Sequence, residues 1–232
     1  MTRTMSQHDL DLGSLLAPWT REPPLQPERD FSPWGHPGWT CWNGHAVEFQ
    51  VADFISRLAH GVATSSADPY LIETGVGQGF VTRRVIDAIP DTARLMCFES
   101  DHKWREGIKR FDFWTDHLNA CIRNEIFPDE ADFRTADLVI LDSNDPWRKI
   151  EIMMWQELAP DGSVLFVHDT GTIHPPHDGH FTLGFLIKTL GLTGYWLENP
   201  RGSFLSQKGR VLPQDRYKAL WDSTLEDVYS FE

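Results

Sequence analysis

The stretch Pro69-Tyr-Leu-Ile-Glu-Thr-Gly-Val-Gly-Gln-Gly-Phe-Val-Thr82 decides how the rest of the chain is organised. Tyr70, Leu71 and Ile72 form a short apolar run, with Asp68-Pro69 in front and glycines behind, which is the pattern of a buried strand. The run closes on Glu73 and Thr74 and passes into Gly75-x-Gly77-x-Gly79. Phe80, Val81, Val85, Ile86 and Ile89 then recur at helical spacing until Pro90 stops the helix. Strand, glycine turn and helix in succession build a nucleotide cradle. Glycine lets the backbone approach a ligand closely, and the helix N-terminus offers unpaired N–H groups. A dinucleotide turn needs Gly-x-Gly-x-x-Gly, but the residue three after Gly77 is Phe80. A carboxylate at the strand end instead suits a ligand with a cationic amino group and no phosphate.

Downstream, Arg94-Leu-Met-Cys-Phe-Glu99 reads as a second buried strand ending in an acid. Glu99 stands 20 residues beyond Gly79, the distance at which nucleotide-binding units place a carboxylate on the ribose hydroxyls. Ser100 or Asp101 can cap the next helix, whose basic residues, Lys103 and Arg105 to Arg110, read as a solvated face. Residues 118–122 are expected to form a third strand, with Arg123 and Asn124 at its exit near an adenine. Asp137-Leu-Val-Ile-Leu-Asp142 and Ser163-Val-Leu-Phe-Val-His-Asp169 are two further apolar strands closing on acids. Between them Pro146 opens a helix that ends at Pro160-Asp161-Gly162. A polar loop carrying His174, His177, Asp178 and His180 follows. Pro175-Pro176 bars a helix there and no cysteine joins the set, so these histidines read as solvated or substrate-facing rather than as a structural zinc site. A helix over about 181–190, a hairpin of Gly194-Tyr-Trp-Leu197 with Ser203-Phe-Leu-Ser206, and a terminal helix over 215–227 complete the chain. Ahead of the glycine turn, Val47, Val51, Phe54, Ile55 and Leu58 mark an amphipathic helix over 46–58 leading to Gly61. Residues 1–44 are rich in proline yet carry Trp19, Phe31, Trp34, Trp39 and Trp42, too apolar for a solvated tail. That arm is expected to pack along the domain or against a second subunit, or to close as a lid.

Composition narrows the function. With 34 acids against 21 bases the net charge is −13, which argues against an extended contact with nucleic acid or an anionic membrane. No apolar stretch approaches a membrane span, and Met-Thr-Arg-Thr-Met-Ser-Gln-His lacks the apolar core of a signal peptide. Cys41, Cys97 and Cys121 are scattered, and buried free thiols in a reducing, cytoplasmic setting are expected.

Alternating strands and helices closed by a hairpin predict an α/β, doubly wound, Rossmann-like sheet with helices on both faces. Glu73-x-Gly-x-Gly-x-Gly79, Glu99, the strand ending in Asp142 and Leu158-x-Pro-Asp-Gly162 together resemble the class I S-adenosylmethionine (SAM) methyltransferases. The resemblance runs over about 46–207 and implies three regions: an N-terminal arm or lid at 1–44, a SAM-binding domain at 45–207 and a helical extension at 208–232. It implies that Glu73, Thr74, Gly75, Gly77, Gly79, Glu99, Ser100, Asn124 and Asp142 hold SAM. Asp142, His168 and Asp169 match the positions at which the metal-dependent small-molecule O-methyltransferases hold a divalent ion. Those include the catechol, macrolide-sugar and cephalosporin-pathway enzymes, which points to natural-product metabolism. His168 departs from that group, which carries a carboxylate there. Imidazole shifts the preference from Mg²⁺ towards first-row transition metals. Successive strand residues also face opposite ways, so His168 reaches an ion only if the strand bends. The implied activity is methyl transfer to a hydroxyl of a small molecule, with Asp142, His168 and Asp169 catalytic. Its rivals are a metal-free enzyme with His168 as base, other chemistry on the same fold, and ligand binding without turnover.

Overall fold

The computed structural model describes residues 29–30, 40–41, 47–77, 79–102, 104–105, 120–123, 125, 128–171 and 180–210. Most of the N-terminal arm, Asn124, the loop carrying His174 and His177, and the expected helix at 215–227 lie outside the described residues. Residues Arg29–Asp30 and Thr40–Cys41 pair antiparallel as a two-stranded ladder.

Seven further strands form the main sheet. The apolar runs singled out above become β1 (Tyr70–Thr74), β2 (Arg94–Phe98), β4 (Leu138–Leu141) and β5 (Val164–His168). β3 (Ala120–Arg123), β6 (Gly194–Leu197) and β7 (Ser203–Gln207) complete it, in the order β3-β2-β1-β4-β5-β7-β6. β1 to β5 are parallel, while β7 runs antiparallel to both β5 and β6. The strand order reverses between β1 and β4, the switch point where open α/β sheets bind ligands. The expected doubly wound sheet with an antiparallel closing hairpin is the fold observed.

Every residue of β1, β4 and β5 is buried because helices cover both faces. On one face Leu71, Leu95, Leu138, Ile140 and Phe166 pack against α1 (Phe49–Ser65) and α2 (Phe80–Ala88). On the other, Ile72, Val139, Leu141, Leu165 and Val167 pack with Phe133 of α3 (Glu130–Phe133) and against α4 (Asp145–Leu158) and α5 (His180–Thr189). Trp155 of α4 anchors that second core, almost fully buried, with its indole N–H donated to Ser163 Oγ at 3.1 Å. Trp155→Ala is therefore expected to lower unfolding free energy by about 3–5 kcal/mol, measurable by denaturant titration.

The differences from the sequence expectation have local causes. α1 starts later and continues through Gly61, because Val62 and Ala63 extend its buried stripe. The third strand falls at 120–123 instead of 118–122. It is an edge strand, half exposed, so its apolar signal is weak. On it Cys121 is exposed, against the expectation of a buried thiol, whereas Cys97 on β2 is buried as expected. Arg105 is also no solvated residue: it is 7 % exposed and its Nη1 donates to the Glu99 carbonyl at 3.1 Å. Among the described residues, no helix is long and apolar enough to cross a membrane.

Candidate active site

The carboxyl edge of the sheet brings two groups of side chains to the switch point. The first is the glycine turn. Gly75, Gly77 and Gly79 all have positive φ, at 72°, 55° and 76°. A Cβ on Gly75 would lie 2.3 Å from the Asp142 carbonyl oxygen, so this glycine lets the exits of β1 and β4 touch. Asp142 N–H donates to the Thr74 carbonyl at 3.0 Å, which ties the same two exits. Among the described residues, a Cβ on Gly77 would meet only the Gly75 carbonyl, at 4.0 Å.

Glu99, just past β2, accepts from Gly77 N–H at 2.9 Å through one oxygen and from Asp101 N–H at 2.8 Å through the other. The acid expected to bind a ribose thus also braces the glycine turn. A carboxylate offers about four lone-pair sites, which leaves capacity for hydroxyl donors. Ser100 follows it and is exposed. Glu73 is 2 % exposed, with the Cys97 thiol donating to it at 3.7 Å. Burial above all, with the charges of Asp142 and Glu99 adding, pushes its carboxyl up to about 8, although Thr82 and Cys97 pull the other way. Among the described residues, the groups that weigh most on its ionisation are the Thr82 hydroxyl, the Asp142 and Glu99 carboxylates and the Cys97 thiol.

The second group is centred on His168, the last residue of β5 and wholly buried. Asp169 has a left-handed φ of 56°, rare outside glycine and tolerated best by Asn and Asp. That bend removes the strand's usual alternation. His168 Nδ1 lies 3.0 Å from Asp142 Oδ1 and 3.3 Å from Asp169 Oδ1. The ring's other nitrogen, Nε2, is 2.9 Å from Oε2 of Glu48, a fully buried residue immediately before α1. Glu48 Oε1 accepts from Arg201 Nε at 3.2 Å, and the same nitrogen lies 3.3 Å from Asp169 Oδ1. Arg148 Nη1 donates to the His168 carbonyl at 2.6 Å and stands 3.9 Å from Asp142 and 3.8 Å from Asp169.

Sequence reasoning found Asp142, His168 and Asp169, and the structure brings them together. It missed Glu48, Arg148 and Arg201. Glu48 adjoins a helix start and Arg201 lies in the turn between β6 and β7, so the signal available was only charge at an element boundary.

Electrostatics follow from the donor inventory. Both ring nitrogens of His168 face carboxylate oxygens, which only accept, so Nδ1 needs either a proton or a cation. Burial alone would depress the imidazolium. Asp169, Asp142 and Glu48 outweigh burial and the opposing charge of Arg201 and raise it to about 10. Burial works against ionised Glu48 as well, but Arg201 and His168 hold it well below the usual carboxylate range. Asp169 is also lowered, by His168, Arg201 and Arg148 against its burial. With the ring protonated, three carboxylates are balanced by one imidazolium and two guanidiniums.

The same geometry accepts a divalent ion. Ligands about 2.1 Å from an ion and at right angles stand about 3.0 Å apart, close to the two Nδ1-to-oxygen separations. One ligand atom from each of Asp142, His168 and Asp169 lies within 4.8 Å of the others. Asp169 Oδ1 is sealed from solvent and, among the described residues, accepts no hydrogen bond. Charge is the opposing factor, since Arg148 and Arg201 already offset part of what an ion would neutralise. The side chains of His174, His177 and His180 lie outside the described residues.

No family model matches this sequence, and no curated protein matches it either. Solved structures do match. The O-methyltransferase TomG from Streptomyces achromogenes, involved in tomaymycin synthesis and solved with SAM, is 16% identical with a TM-score of 0.54, over 71% of this chain and 82% of that one. An O-methyltransferase from Bacillus cereus in complex with SAH is 13% identical with a TM-score of 0.55, over 72% and 84%. A precorrin-6y C5,15-methyltransferase from Geobacter metallireducens is 11% identical with a TM-score of 0.52, over 66% and 87%. At such identities the likeness establishes the fold, which is that of the SAM-dependent methyltransferases, with O-methyltransferases among the neighbours.

Proposed function

We propose that this protein transfers a methyl group from SAM to a hydroxyl of a small molecule, in natural-product metabolism, with a divalent ion at Asp142, His168 and Asp169. The observation that carries this reading is the placement of the carboxylate–imidazole cluster beside the glycine turn at the switch point. SAM supplies an electrophilic sulfonium methyl. Glu73 would face its amino group, the backbone at Gly75 and Gly77 its methionyl part, and Glu99 its ribose hydroxyls. Thr74, Gly79, Ser100 and Asn124 belong to the same proposed contact set. The room beside Gly77 among the described residues and the burial of Glu73 near other carboxylates both suit that occupant. A divalent ion would lower the pKa of a substrate hydroxyl. Asp142, His168 and Asp169 would hold it, and the chain's remaining work is orientation of the acceptor and exclusion of water.

A metal-free site is the second reading, favoured by the charge balance of the cluster. There His168, expected from sequence to be the base, is instead held as an imidazolium at neutral pH by Asp169, Asp142 and Glu48 and acts as a donor, which leaves a carboxylate to accept the substrate proton. Turnover of candidate hydroxylated substrates, with and without chelator, separates the two. Tight SAM binding with no transfer to any acceptor would instead favour a binding protein.

SAM binding near pH 7 is expected to release a proton. Glu73 is then mostly protonated in the ligand-free protein, and a cationic amino group beside it favours the ionised form. Calorimetry in buffers of different ionisation heat should show that release, with affinity rising up to about pH 8. The linkage to stability has the opposite sense. A raised carboxyl contributes stability that is whole below the unfolded value near 4.5 and lost as pH rises through about 8, so the ligand-free protein should weaken over that window. Binding heats independent of buffer would place the amino group away from Glu73.

A further inference from the structure

We propose that Glu48, braced by Arg201, is a positioning residue that fixes the ring of His168 and assigns Nδ1 as the nitrogen presented to Asp142 and Asp169. This rests on the divalent-ion reading above. Glu48 is a carboxylate with no exposure, yet its side chain does not cap α1, whose N-terminus it adjoins. Its two oxygens are divided instead between His168 Nε2 at 2.9 Å and Arg201 Nε at 3.2 Å. Burying a carboxylate is expensive unless it is paired, and both partners here belong to the site.

The chemistry is one-directional. An imidazole can carry its proton on either nitrogen, but an ionised carboxylate only accepts. Facing Glu48 alone, Nε2 must bear a hydrogen, whereas Nδ1 can exchange its proton for an ion shared with Asp142 and Asp169, and the lone pair of the ring is then on Nδ1. That atom is the one 3.0 Å from Asp142 and 3.3 Å from Asp169. Imidazoles that ligate metals ordinarily donate their other N–H to a carboxylate or carbonyl, which fixes ring orientation and raises basicity. Arg201 adds register. Its Nε lies within 3.3 Å of both Glu48 and Asp169, so one guanidinium aligns the ring's brace with a proposed ligand. Arg148 fixes the His168 main chain from the opposite helix layer. Three segments far apart in sequence thus converge on one ring.

The test compares the full-length wild type with Glu48→Gln and Glu48→Ala. Mn²⁺ affinity is measured by titration, and the ring nitrogens of the Zn²⁺-loaded protein by ¹⁵N NMR, with SAM affinity reporting on an intact fold. Glu48→Ala should weaken Mn²⁺ binding about 10- to 100-fold. Glu48→Gln keeps an acceptor for the Nε2 hydrogen and should recover most of that loss, even if the alanine variant fails to fold. In wild type the ring should carry its proton on Nε2 and the ion on Nδ1. A ring metallated through Nε2, or an ion held equally by all three proteins, overturns the positioning role alone. Absence of any bound ion in wild type overturns the divalent-ion reading and this proposal together.

Discussion

Replacing Gly75 by alanine lowers the stability of the protein by on the order of 3–5 kcal/mol, combining a left-handed backbone strain with overpacking. The expectation comes from two measurements at one residue: a φ of +72° and a Cβ position only 2.3 Å from the Asp142 carbonyl oxygen. Neither the β1 exit nor the β4 exit can retreat, because the Asp142 N–H is bonded to Thr74. Gly77 two residues on behaves differently. Its φ of +55° costs a side chain about 1–2 kcal/mol. Its Cβ, however, meets only the Gly75 carbonyl among the described residues, at 4.0 Å. Gly77→Val should therefore fold, with a valine standing where SAM must approach, and lose SAM binding. Chemical denaturation and calorimetry on the two variants check the contrast. Retained SAM affinity in Gly77→Val would remove the cofactor from this turn, and an unchanged midpoint in Gly75→Ala would contradict the contact between the two strand exits.

Asp169→Asn and chelation are expected to lower turnover by about 100- to 10,000-fold, the scale of several kcal/mol of lost charge stabilisation. Asparagine tolerates the left-handed φ, so this substitution removes the charge while sparing the bend. SAM affinity should stay nearly intact, since the cofactor's proposed contacts lie on the glycine turn, Glu73 and Glu99. Added divalent ion should restore the chelated wild type and fail to restore the variant. Full activity in a chelator would leave the metal-free reading standing.

Much of this site was legible because parallel strands advertise their ends. Glu73, Glu99, Asp142 and the His168-Asp169 pair each follow an apolar run, and a doubly wound sheet carries such ends to one edge. Period and turn chemistry therefore located the acids without any knowledge of pairing. Arg148 and Arg201 carry no such mark. One is an interior residue of an ordinary amphipathic helix, and the other sits in a hairpin turn whose approach to His168 depends on β7 pairing with β5. The bend at Asp169 entered the sequence reading only as a condition for His168 to reach an ion, since a left-handed aspartate looks in sequence like any loop acid. Arg105 was misjudged because one charge in a basic run says nothing about which face the helix turns inward. The edge strand β3 was displaced because half-exposed residues alternate too little to fix a boundary.

β7 enters the sheet backwards, so the turn before it lies at the edge where its parallel neighbours finish, and Arg201 stands in that turn. This gives the cluster a position in time as well as in space. A chain emerging from the ribosome has made Glu48, Asp142, His168 and Asp169 before the guanidinium that partners two of them exists. Glu48 and Arg201 are 153 residues apart, a closure that sets in only after the local helices and neighbouring parallel pairs can form. Without that strand the edge of the sheet would hold Glu48 and Asp169 short of the Arg201 cation. The hairpin made latest in synthesis is thus also the segment that completes the site.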